Sequence, residues 1–562
     1  MKTTENIRKW FPVALIGGAF LWSVGRIYFR RAAETEPGVT TIRIGHWQLE
    51  ASVREALDEM AEEYHKIHPD IRVIQDPIPE STYGQWVTTQ LMGRTAPDMI
   101  EVGVGLQWVV WQAYLHRYFL PQSDIVGKPN PYNVGTPLEG VALRSTYKDG
   151  MRGSYWDQLQ EYMTIPLSLF SVRIFYNQEL FRKLTGLDAP PREYRAFLEA
   201  CDKIASQQDE KGRSYSAIAG ASSYLGLWEW MMFDPITYPA ITKLDLNLDG
   251  YVAPDEHYAA FKGGRMSMDH PAYRARYQMF RDVTDRFQKG YVGMGRDEAV
   301  FLFAQQRAVF MSTGTWDARG LQEQTKSRFT VGVTEFPLPT KEDPVFGPVI
   351  QGPIWERPEG GFPFGITRSS RNPEKAQDFL LFLASQPHNE RFNRIIGWIP
   401  SCVGTKMDPA LEAFEPHLRG VYNVMDFKIG GNATIRYTQD YSLFQVKQLD
   451  YDGFKDRFQP FYLNEGFKDF MEVQREWRRG VRNDEVYITG VRSRAMLESE
   501  IKAPSFWVKY RNLAGGRQVL PEIGHNRLMA LAQGEISPSE PGPYEYSETA
   551  LANARNRLGV RP

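Results

Sequence analysis

Cysteine is almost absent: Cys201 and Cys402 are the only two in 562 residues. That excludes a disulfide framework and any cysteine-based zinc knuckle. It leaves one long-range bridge or, as such sparse usage favours, two buried thiols. An excess of either charge is missing too. Lys plus Arg number 66 against 68 Asp plus Glu, a formal net charge of -2, so no global field attracts nucleic acid or anionic lipid, and no polyanion partner is expected. There is no serine nucleophile elbow, His-Glu-x-x-His helix, phosphate loop or dinucleotide fingerprint. His65 and His68 in HKIHP read as a helix end rather than a metal pair.

What is abundant is aromatic surface: 14 Trp, 28 Tyr and 32 Phe make up 13% of the chain. Most of these rings are expected in cores, and a minority as stacking platforms for flat ligands. The chain is too long for one ordinary core, and its hydrophobic content of 42% can fill two or more. At the N-terminus, FPVALIGGAFLWSVG (11–25) is apolar and flanked by Arg8, Lys9, Arg26, Arg30 and Arg31. It reads as an export signal or a membrane anchor. Counted from Trp10 to Phe29 it approaches the ~20 residues of a span, and the reading adopted is a retained anchor. Cleavage after Gly25 is the alternative. No cysteine follows the run, so lipid attachment there is excluded.

TIRIGHW from Thr41 alternates as a half-buried strand does. A helix follows, with Val53, Leu57, Met60, Ala61, Tyr64 and Ile67 on its inner face. IRVIQDPIP, a helix through Tyr83 to Met92 and MIEVGVG continue a strand–helix alternation that predicts a parallel sheet. Ligands of such sheets sit beyond the carboxyl ends of the strands. The run YMTIPLSLFSVRIFYN reads as one strand crossing, and AVFMST as a short buried strand that breaks at Gly314 before Trp316. Beyond Asp408 the pattern turns helical.

Five segments, in order, resemble the maltose-binding-like branch of ABC-importer solute-binding proteins, extracellular solute-binding family 1. They are EYHKIHPDIRV after the first strand; RTAPDMIEVG; IPLSLFSVRIFYNQELFRKLTGLDAPPREYRAFLEA; FAQQRAVFMSTGTW; and FGITRSSRNPEKAQDFLLFLASQP with GWIPS. The resemblance implies a two-lobed α/β fold of the periplasmic-binding-protein type II, its hinge crossed more than once and ligand held by closure of the cleft. Lobe 1 would combine residues 38–166 with 366–403. Lobe 2 would combine 167–365 with 404–500, ahead of a helical C-terminal extension at 501–562. The implied function is extracytoplasmic capture of a small carbohydrate-like solute by a monomer that serves the membrane subunits of an importer, without chemistry.

A sugar offers C–H faces to aromatic planes and hydroxyls to amides or carboxylates. Trp47, Trp228, Trp316 and Trp398 are candidates for the first role, and Trp316 is where the resemblance places a stacking tryptophan. Gln48, Gln107, Ser222, Ser223 and Tyr224 are candidates for the second. Phe170 stands where some maltose-type relatives carry an acidic contact, which implies a shorter, flatter or more apolar ligand face.

A separate motif is a calcium loop. Asp245, Asn247, Asp249 and Glu256 place oxygen donors at the first, third, fifth and twelfth positions of an EF-hand pattern, with Gly250 at the sixth. Tyr251 would add its carbonyl. The expected ion is Ca2+ in a structural role, against the bland alternative of a solvated Asn-Asp-Gly turn. Rival functions are a carbohydrate-active enzyme, which needs two carboxylates flanking a scissile bond, and a calcium-stabilised surface binding protein.

Overall fold

The computed structural model describes residues 38–106, 108–156, 161–244, 252–350, 360–416 and 427–475, with Arg479 and Thr489. The N-terminal apolar segment, loop residues 245–251 and the expected extension at 501–562 lie outside them.

Alternation in TTIRIGH produces β1 (Thr40–His46), which turns Ile42, Ile44 and His46 inward. β2 (Ile71–Pro77) and β3 (Met99–Glu101) flank β1 in parallel. The crossover helices are Ala51–Ile67 and Glu80–Gly93. The first buries Val53, Leu57, Met60 and Tyr64 as its spacing requires, but Ile67, expected inward, is exposed because the helix ends one residue later at His68. His65 and His68 bond Ile71 O at 2.7 Å and the Tyr132 hydroxyl at 2.8 Å, so both serve the helix end.

The other strands are β4 (Phe119–Leu120), β5 (Tyr155–Trp156), β6 (Glu161–Tyr162), β7 (Ile165–Leu169), β8 (Val172–Asn177), β9 (Ser216–Ala219), β10 (Ala308–Gly314), β11 (Val331–Thr334), β12 (Gly360–Thr367) and β13 (Ile399–Pro400). One sheet has the order β13-β7-β12-β3-β1-β2 with β4 also on β12; another has β11-β8-β10-β9; β5 and β6 pair antiparallel. Among the described residues, unit 1 comprises 38–156, 161–169 and 360–407, and unit 2 comprises 170–350 and 408 onward.

The apolar run expected as one strand crossing is thus two strands. β7 pairs with β12 and β13 in unit 1, whereas β8 pairs with β10 and β11 in unit 2. Phe170 and Ser171 separate them, and every residue of both strands is buried, so periodicity alone could not show the break.

Two asparagines on the helix Gln386–Ile396 secure the ends of β7 and β13. Asn389 Nδ2 and Asn393 Nδ2 donate to Leu167 O at 2.7 and 2.8 Å. Ser168 Oγ donates to Asn393 Oδ1 at 2.5 Å, and Cys402 N donates to Asn389 Oδ1 at 3.2 Å. In unit 2 the buried Arg173 plays a similar part, donating to Ala413 O at 2.8 Å and Glu415 O at 2.9 Å. Cys201 and Cys402 are both buried free thiols.

Behind β8–β11, the helices Pro254–Lys262, Pro271–Thr284, Gly431–Gln445 and Tyr451–Asn464 pack an aromatic core. At its centre His257 stacks on Phe261 and bonds the hydroxyls of Tyr462 at 3.0 Å and Tyr273 at 2.9 Å. Burial pushes its pKa down to about 3. Because the unfolded chain protonates first, stability contributed here is present above the ordinary histidine pKa and drains away as pH falls from about 6.5 toward 3. Acid unfolding of the full chain should therefore begin at higher pH than in His257→Phe, compared by circular dichroism from pH 7 to 3.5; identical profiles would refute this.

Candidate functional site

In unit 1 the relevant edge is the carboxyl end of the parallel strands. Trp47 follows β1 directly, is half-buried and meets Tyr83 edge-on with 5.2 Å between ring centroids. Tyr83 comes from the crossover helix Glu80–Gly93. Its hydroxyl donates to Glu101 O at 2.6 Å and approaches Gly45 O at 3.3 Å, joining the ends of β1 and β3. Gln48 is buried, and its Nε2 donates to Glu101 Oε1 at 2.8 Å. β3 leaves the sheet through Gly103 at φ +137, which only glycine adopts easily, and an added Cβ there would reach 3.7 Å from the Trp47 indole. On the far side of β12, Trp398 is half-buried, 4.7 Å from the Phe362 ring, and lies across Gly361. Gln107 lies outside the described residues.

In unit 2 the corresponding feature is the end of β10. Gly314 closes that strand, and the helix Thr315–Thr325 starts at once. Trp316 is half-buried, and its indole lies directly over Gly314, where any Cβ would collide with it. Phe170 supports the ring edge-on at 5.4 Å. Sequence reasoning paired neither residue with the polar network beneath them. Asp317 Oδ2 accepts from Tyr224 at 3.0 Å and from Thr313 at 2.5 Å, and Arg296 pairs with Asp317 while donating Nε to the Tyr224 hydroxyl at 3.0 Å. Tyr224, expected to contact ligand, is therefore committed to holding the first turn of the Trp316 helix. Burial and the Asp317 charge push its pKa up to about 12.

Ser222 is exposed and donates to Met294 O at 2.9 Å; Ser223 follows it in the helix Ser222–Trp228. Trp228 corrects an expectation. It is wholly buried between Phe336 and Phe287, at 5.1 and 5.7 Å, as the last residue of its helix within the apolar cluster of unit 2. Its indole is core, not a ligand surface. The structure thus brings together Trp47, Gln48 and Tyr83 in unit 1, and Phe170, Trp316 and Tyr224 in unit 2. Glu101, Tyr83, Arg296 and Asp317 were missed. A lone carboxylate within the apolar strand MIEVGVG was the one available signal.

Of the calcium-type loop, Asp245, Asn247, Asp249 and Tyr251 lie outside the described residues. Glu256 is buried in the first turn of the helix Pro254–Lys262, where its Oε2 accepts the backbone N–H of Ala253 at 3.0 Å. Among the described residues no cluster of three or more metal-ligating side chains occurs, and no helix is long and apolar enough to cross a membrane.

The model for bacterial extracellular solute-binding proteins matches residues 50–390. An uncharacterized ABC transporter extracellular-binding protein of Pyrococcus horikoshii is 21% identical over 420 residues, covering 72% of this chain and 82% of that protein. Solved structures share the fold. The apo form of RafE from Streptococcus pneumoniae aligns with a TM-score of 0.55 at 15% identity, over 76% of this chain and 98% of its own. A chitin oligosaccharide binding protein aligns at 0.52 and 14%, over 75% and 98%.

Proposed function

The chain belongs to the bacterial extracellular solute-binding protein family, and from that premise we propose that it captures a small carbohydrate or sugar-like solute for an ABC importer. The supporting observation is the tryptophan at the carboxyl end of a strand in each unit, Trp47 after β1 and Trp316 after β10, each braced by a second aromatic ring. Aromatic planes so placed suit the C–H faces of a pyranose. RafE has also been solved with raffinose bound, which makes that trisaccharide a sensible first probe.

In this reading the protein acts as a monomer outside the cytoplasm, is tethered through residues 10–29, hands its cargo to the importer's membrane subunits and performs no chemistry on it. A thermal-shift screen of mono- and oligosaccharides, followed by chromatography of the incubated sugars, tests the proposal. Stabilisation by at least one sugar without product is expected. Product would establish the enzyme reading, and no stabilisation by any sugar would remove the carbohydrate.

Calcium binding at residues 245–256 is a second part of the proposal, supported by the oxygen-donor spacing and by a helix that starts at Pro254, so that Glu256 stands in its first turn. A ligand bound only by the folded state at a hundredfold excess over Kd stabilises by ~2.7 kcal/mol. The melting temperature in millimolar calcium should accordingly exceed that in chelator by a few degrees. Equal values would refute the site.

A further inference from the structure

Glu101 is the last residue of β3, has no exposed surface and stands at the end of the sheet where ligands of parallel strands bind. Its Oε1 accepts from Gln48 Nε2 at 2.8 Å, the backbone N–H of Trp47 lies against the same carboxyl, and its buried Oε2 meets no donor. Its own carbonyl accepts the hydroxyl of Tyr83, the residue that braces the Trp47 ring. Gln48 and Trp47, consecutive in sequence, thus both approach this one group.

We infer that Glu101 is a positioning residue: its wholly buried carboxyl fixes the amide of Gln48 and the backbone of Trp47, and so sets unit 1's two candidate ligand contacts together. Given the proposed solute-binding function, this adds a control on the same site. A buried carboxylate with one unsatisfied oxygen costs far more than the neutral acid. Burial accordingly pushes the Glu101 pKa up to about 8, opposed by the hydrogen bond from Gln48 and by the adjacent Trp47 N–H, and reinforced slightly by the charge of Glu50.

The other titratable neighbours are few. His46 on β1 is buried against Gln75 and held below its ordinary pKa by burial. Tyr83, on the crossover helix, is held protonated by burial well above its ordinary range. β12, which pairs Phe364 with Glu101, brings no titratable residue. Between pH 7 and 9 Glu101 is therefore the group whose ionisation disturbs Trp47 and Gln48.

The test uses the full chain labelled with 5-fluorotryptophan, the Trp47 resonance being assigned by Trp47→Phe, and follows 19F spectra from pH 6 to 9.5. The Trp47 signal should titrate with a midpoint near 8, should stay flat in Glu101→Gln, and should titrate at higher pH in Gln48→Ala, because removal of a donor to the carboxylate raises its pKa. In parallel, raffinose affinity measured by calorimetry should fall about tenfold one pH unit above the midpoint in the wild type and change less than twofold in Glu101→Gln. A pH-independent Trp47 signal, or the same titration in Glu101→Gln, would overturn the inference. If Glu101→Gln does not fold, the direction of the Gln48→Ala shift decides. Absence of raffinose binding at every pH would count against that sugar as cargo, and the Trp47 titration would then support or overturn the role of Glu101 by itself.

Discussion

Replacing Trp316 with alanine should weaken binding of whichever saccharide stabilises the protein by 10- to 100-fold while leaving the melting temperature nearly unchanged. The indole is half-buried at the start of the helix Thr315–Thr325, packed on Phe170 and lying over Gly314. Its inner face is already covered, so the loss falls on the outer face, and truncating a central aromatic contact costs ~1.5–3 kcal/mol of binding. The fold suffers little because Asp317, Tyr224, Thr313 and Arg296 hold the helix start without the ring. Titration calorimetry on Trp316→Ala and Trp316→Phe measures the effect, with Phe expected to retain most of the affinity. An unchanged Kd in the alanine variant would remove Trp316 from the site.

The second large effect is on stability. Asn389→Leu should lower the unfolding free energy by ~3 kcal/mol. The substitution keeps the branched four-atom shape, with bulkier methyl ends, but deletes a donor to Leu167 O and the acceptor that serves Cys402 N, both in fully buried surroundings. Each buried polar group left without a partner costs ~1–3 kcal/mol. Asn393 still reaches Leu167 O, so the amide of Cys402 carries most of the penalty. Urea unfolding monitored by circular dichroism is the measurement, and a loss below ~1 kcal/mol, the ordinary range for surface changes, would show that the asparagines do not carry this junction.

The two cases mark what could be read in advance. Trp316 was legible because a buried strand, a glycine and a tryptophan follow one another in FMSTGTW, and local order fixes where the ring begins. β1 and its helix were legible for the same reason, since Ile42, Ile44, Val53, Leu57 and Met60 repeat at the spacing their structures need. Asn389 and Asn393 were not, because their partners lie more than two hundred positions away, at Leu167. Glu101 likewise gains its meaning from Gln48 and Tyr83, which arrive from other elements. Trp228 misled because YLGLWEWMMF is apolar all round, and only packing against Phe287 and Phe336 decides which way a ring points. The division of Tyr162–Asn177 into β7 and β8 was hidden by continuous burial on both sides of Phe170.

The way unit 1 is closed carries a consequence for synthesis. β12 runs between β7 and β3, yet it begins at Gly360, after all of β8 to β11 has been made. A nascent chain that has emerged through Leu169 holds β1, β2, β3 and β7 but lacks the strand that joins the first three to the last. It exposes unpaired strand edges for as long as the ribosome takes to add the intervening residues, and its contacts of high sequence separation make closure slow. The first part of unit 1 therefore cannot lock until Gly360–Thr367 has been added, so its closure waits on a segment made about 190 positions after β7.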